Sequence, residues 1–149
     1  MKTQQTALYA AERTVPWGYQ FAGLAEVQKF LDDLRDNWWW PRRVAQVEAF
    51  TGGRIRHPAQ AELRPDGCGE ITFREDTPAL HVVLHELAHV LTNSHYGGSG
   101  HHPWFARTLL ELTFLVRGSD AYAALAEAFT RAEIDFDAPG VVDQDAVRA

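Results

Sequence analysis

The chain has 149 residues, 46% apolar and 23% charged, which suits one globular domain with a real core and is too short for two ordinary ones. Its 14 Lys and Arg against 20 Asp and Glu give a formal net charge of -6, which argues against a general nucleic-acid binder, since those carry a basic surface. The one cysteine, Cys68, can make neither an intramolecular disulfide nor a zinc ribbon. No stretch approaches the roughly 18–20 apolar residues that cross a bilayer, and residues 1–20 lack the apolar core of a secretory signal. A cytoplasmic protein with no membrane partner is the expectation.

The opening segment to about Arg13 reads as a short helix or a loosely held arm. From Phe21 to Asp36, the residues Leu24, Val27, Phe30, Leu31 and Leu34 follow helical spacing. Trp38-Trp39-Trp40-Pro41 then ends that helix, because Pro disfavours helix in the residue before it. Three consecutive tryptophans cannot all face one core, so at least one belongs at the surface or in a cleft wall. Strands are expected over Arg43–Phe50, Arg54–Leu63 and Gly69–Arg74, separated by turns at Thr51-Gly52-Gly53 and Pro65-Asp66-Gly67. Arg42, Arg43, Arg54 and Arg56 read as a solvated face, and His57 as structural or solvated.

Asp76-Thr77-Pro78 has the form of a helix start, a capping side chain followed by Pro in the first turn. The helix is expected to run to Asn93, with Leu80, Val83, Leu84, Leu87 and Leu91 packed on the strands. Three glycines between Tyr96 and Gly100 call for a loop. Pro103 opens a further helix to about Arg117, and Ser119 is placed to cap a last one reaching about Glu133. From Asp137 the chain is polar, so residues 1–136 form the expected domain and 137–149 a frayed tail. The expected fold class is α+β: a small twisted sheet packed on the long apolar helix, with additional helices at the C-terminal end.

That helix carries the most informative residues, His85-Glu86-Leu87-Ala88-His89, an H-E-x-x-H motif. Two histidines four apart project from one helical face, off the apolar stripe, where their imidazoles can bind one zinc ion facing a cleft. Zinc lowers the pKa of a coordinated water from about 15.7 to about 7, and Glu86 can accept its proton as it attacks a carbonyl. Catalytic zinc takes three protein ligands. The candidates for the third are His95, His101, His102 and Glu111. His95 has the metzincin spacing, but Thr92 replaces the turning glycine, leaving Asn93 to turn one residue later, and Met1 is the only methionine. Glu111 would make a carboxylate ligand from the next helix, though a surface glutamate fits it better.

His101-His102-Pro103-Trp104-Phe105 resembles the H-G-x-x-F element that follows H-E-x-x-H in compact zincins. These include SprT-like metalloproteases and short actinobacterial metallohydrolases. The opening of the latter is also similar to Gln4–Glu12 here, most of all at Tyr9-Ala10-Ala11-Glu12, and their motif helix to Val82–Leu91. The likeness covers most of the chain loosely, and two short motifs carry it. It implies His101 as the third zinc ligand, Phe105 packed beneath the site, and His102 standing where the family has Gly. It also implies a cleft lined by an edge strand along which an extended peptide pairs, for which Gly69–Arg74 is the expected segment.

The expected function is zinc-dependent hydrolysis of a peptide or protein substrate: His85, His89 and His101 hold Zn2+ and Glu86 is the general base. Two alternatives stand beside it. One is a non-catalytic zinc-binding or interaction domain with four closed ligands, for which His95, His101 and His102 supply donors. The other is a DNA-associated SprT-like protease, against which the acidic balance counts. His81 is a lesser candidate beside the metal, Tyr96 an oxyanion donor, and Arg107 a partner in a surface salt bridge.

Overall fold

A computed structural model describes residues 4–15, 18–52, 55, 57–93 and 103–142. In chain order the elements are α1 (Gln4–Glu12), α2 (Leu24–Arg35), β1 (Gln46–Thr51), β2 (Ala59–Leu63), β3 (Cys68–Phe73), α3 (Leu80–Thr92), α4 (Pro103–Arg117) and α5 (Ser119–Arg131). The fold is mixed α+β, with a small three-stranded sheet and five helices among the described residues. No described helix is long and apolar enough to cross a membrane.

On α2 the residues Val27, Leu31 and Leu34 are buried at intervals of four and three, so one stripe of the helix faces the core. The tryptophan corner after it divides as its geometry requires. Trp38 is 81% exposed, whereas Trp39 and Trp40 are buried. The Trp40 indole donates to the Val44 carbonyl at 2.7 Å.

The strand order is β1-β3-β2, with β1 parallel and β2 antiparallel to β3. Gly69, Ile71 and Phe73 of β3 point inward; Ile71 is flanked by Ala49 and Ala61, and Phe73 by Thr51 and Ala59. Small neighbours leave room for the two large central side chains. This order corrects one expectation. Gly69–Arg74 is not an edge strand: β3 is the middle strand, with backbone partners on both sides, and the edges are β1 and β2. The α2 helix packs beside β1, where Gln28 donates to the Val47 carbonyl and accepts from the Ala49 amide, both at 2.9 Å. The motif helix α3 packs between α4 and the sheet, where β2 is its main partner among the strands.

Three boundaries differ from local sequence signals. Helix α3 begins after Ala79, without a side-chain cap, and not at Asp76. Tertiary hydrogen bonds hold residues 78–80 extended: Phe21 N–H donates to the Pro78 carbonyl and Leu80 N–H to the Tyr19 carbonyl, around a bridge between Gln20 and Ala79. Ser119 lies inside α5, whose cap position is Gly118 at φ 89°, so the hydroxyl does not cap it. The segment from Asp137, expected as a free tail, is anchored as far as it is described. Val141 is buried, and its amide donates to Glu111 Oε1 at 3.1 Å.

Candidate functional site

Helix α3 is buried along almost its whole length, including Val83 through Thr92. Its apolar residues meet the sheet and α4, and the polar motif residues are enclosed with them. His85 is 2% exposed, Glu86 3% and His89 1%. The histidines therefore do not line an open face, as the amphipathic pattern alone suggested. His85 meets Glu12 and Tyr9 of α1, and both imidazoles meet Phe105 of α4.

The two imidazoles lie one helical turn apart with ring centroids 5.0 Å from each other, inclined at 67°. A tetrahedral ion about 2.0–2.1 Å from one nitrogen of each ring would set two ring centres about 5 Å apart, a separation that side chains one helical turn apart also reach without an ion. Phe105, fully buried near the start of α4, packs against both rings, with centroid distances of 5.1 Å to His85 and 4.5 Å to His89. This is the position under the histidines expected of it.

Behind His85 stands a group that sequence reading missed. The carboxylate of Glu12, 1% exposed at the end of α1, meets His85 Nδ1 at 2.8 and 2.9 Å. Tyr9, one turn earlier on α1, stacks on the same imidazole at 4.6 Å and 16°. Burial alone would pull the His85 pKa down. The charge of Glu12, its hydrogen bond and the nearby Glu86 push the other way and prevail, so the net shift is upward. With Nδ1 engaged by Glu12, Nε2 is the nitrogen that would reach a metal. Both Nε2 of His85 and Oε2 of Glu86 are fully enclosed.

The C-terminal end of α3 also has defined chemistry. Thr92 stays helical, its hydroxyl donating to the Ala88 carbonyl at 2.7 Å, and the chain leaves at Asn93 in the left-handed conformation, φ 52°. Arg43, expected on a solvated face, donates its guanidinium to the Leu91 carbonyl, where a cation also meets the negative end of the helix dipole.

Of the third-ligand candidates, His95, His101 and His102 lie outside the described residues, as does Tyr96. Among the described residues no cluster of three or more His, Cys, Asp or Glu is arranged to hold a metal. Glu111 is described and has other work. Its carboxylate accepts from the Trp39 indole at 2.6 Å, from Arg107 Nε at 2.9 Å and from the Val141 amide. It is a partly buried anchor between the tryptophan corner, α4 and the C-terminal segment, and not a surface glutamate. Arg107 forms the expected salt bridge with it. His81 is half-buried one turn before His85, in the field of Glu12, and burial lowers its pKa. His57 is exposed in the bend before β2.

No family model, curated protein or solved structure matches the chain.

Proposed function

We propose that the protein is a zinc-dependent metallohydrolase of zincin type acting on a peptide bond. The observation that supports this is the buried pair His85 and His89, one helical turn apart with ring centres 5.0 Å from each other, a separation one tetrahedral ion can span, and Glu86 between them in the motif. His85 and His89 would hold the ion with a third ligand from His101, the residue that immediately precedes α4 but for His102. When bound, zinc supplies Lewis-acid polarisation of the scissile carbonyl and acidification of a water.

The chain's own residues do the rest. Glu86 accepts the proton of the attacking water and passes it to the leaving amine. Phe105 keeps bulk water from the two imidazoles, which strengthens electrostatic interactions there. The sheet edge nearest the motif helix is β2, so an extended substrate would be recognised along β2 and not along the expected β3.

A second reading has one observation behind it. The near-complete burial of His85, Glu86 and His89 also suits a closed zinc site that supports folding or a partner surface. The experiment that separates the two is metal analysis combined with peptide hydrolysis for wild type, His101→Ala and Glu86→Gln. The hydrolase reading expects about one zinc per chain, lost in His101→Ala and kept in Glu86→Gln, with hydrolysis reduced at least 10²- to 10⁴-fold in the latter. Zinc without turnover in wild type would favour the closed site. No zinc in wild type, even after it is supplied, would overturn both.

A further inference from the structure

The amino-terminal helix contributes two groups that meet a motif histidine, Glu12 and Tyr9, and nothing in the H-E-x-x-H pattern requires them. Glu12 and Tyr9 lie three residues apart on α1, hence on one face, and both meet His85, which is 73 positions from Glu12. Glu12 is 1% exposed, and a carboxylate so placed is expensive unless it is hydrogen-bonded to a partner that repays its desolvation. Here the partner is Nδ1 of a ring whose other nitrogen faces the proposed metal.

We infer that Glu12 is a positioning residue for the metal centre: it accepts the Nδ1–H of His85, fixes the tautomer that presents Nε2, and with Tyr9 sets the plane of the ring. The inference rests on the zinc reading above and extends it to a helix outside the motif. A metal-ligating imidazole held through its far nitrogen by a carboxylate is a better oriented and more basic donor, and loss of such a partner weakens metal binding about 10- to 100-fold. Tyr9 adds a flat wall that limits rotation of the ring about its Cβ–Cγ bond. Zinc affinity and the docking of α1 are then linked: each favours the other by the same factor.

The test is zinc affinity, measured on full-length protein by competition with a chromophoric chelator, for wild type, Glu12→Ala and Glu12→Gln. Visible spectra of the Co2+-loaded forms are recorded alongside. Glu12→Ala is expected to bind zinc about 100-fold more weakly. Glu12→Gln, which keeps an acceptor oxygen but not the charge, is expected to lose about tenfold. Cobalt bands are expected to shift in both, a change that a purely structural role of Glu12 in a still-folded chain does not produce. If Glu12→Ala does not fold, the isosteric Glu12→Gln carries the test alone. A folded Glu12→Gln with wild-type zinc affinity and an unchanged cobalt spectrum overturns the inference while leaving the zinc reading intact. A wild-type protein that takes up neither ion overturns the zinc reading itself.

Discussion

Replacing Gly69 by Ala tests how closely the motif helix is pressed on the sheet. A Cβ at Gly69 would sit 2.5 Å from Val90 Cγ1 on α3 and 3.1 Å from Val47 Cγ2 on β1. Carbon atoms pack favourably at about 3.5–4.0 Å, so Val90 has to withdraw by about 1.0–1.5 Å. It has little freedom to do so, because a helical valine is held to one dominant χ1 rotamer and Val90 is fully enclosed. The helix must shift instead, and such overpacking costs about 1–3 kcal/mol. Urea unfolding should show a lower midpoint with an unchanged slope. Val90→Ala removes the obstructing methyls and by itself costs about 1.5–2 kcal/mol at about 0.8 kcal/mol for each buried methylene-sized group. The double variant should therefore be no less stable than Val90→Ala alone, a coupling of about 1–3 kcal/mol between the positions. Additive losses, or a neutral Gly69→Ala, would show that the contact between β3 and α3 is looser than described.

Phe105→Ala should destabilise the protein by about 3–5 kcal/mol, since it opens a cavity against both imidazoles; chemical denaturation checks it, and a loss under 1 kcal/mol would contradict the packing. Glu111→Ala leaves the Trp39 indole and the Val141 amide without their acceptor, at about 1–3 kcal/mol for each buried donor. Hydrogen exchange at Val141 should accelerate more than exchange within α2, and a uniform change would argue against a local anchor. Burial lowers the His81 pKa below its ordinary 6.5, so its contribution to stability is present above that pH and lost as pH falls through the folded value. His81→Gln should consequently lose less stability than wild type on acidification, and parallel pH profiles of the urea midpoint would refute it.

The helices were legible because their apolar spacing is strong: Val27, Leu31 and Leu34 on α2, and Leu80, Val83, Leu84, Leu87 and Leu91 on α3, are buried where the pattern places them, apart from the ends. The turn at Asn93 was legible too, because Asn tolerates the left-handed conformation that Thr92 resists. What failed was information held between distant residues. Alternation in Gly69–Phe73 identifies a strand but says nothing of its neighbours, so its central place was hidden. Asp76 has the chemistry of a cap, but a backbone bridge between Gln20 and Ala79 fixes where α3 begins. Glu12 resembled any acidic residue at a helix end. The available hints were its shared face with Tyr9 and the likeness of Tyr9-Ala10-Ala11-Glu12 to the opening of the short metallohydrolases, neither of which names a partner. Glu111 likewise meets Trp39 from 72 positions away.

The amide of Gln28 has a consequence for how the protein behaves in company. A sheet edge presents backbone donors and acceptors that a second chain can extend, and such edges are common starting points for aggregation. On β1 the outward Val47 carbonyl and Ala49 amide are both bonded by one glutamine side chain, which stands in for the next strand. Gln28 is thus a plug as much as a packing residue. Its replacement by an apolar side chain would be felt more in crowded or concentrated solution than in dilute unfolding curves, as growth of intermolecular β-structure along the edge that α2 covers and this glutamine bonds.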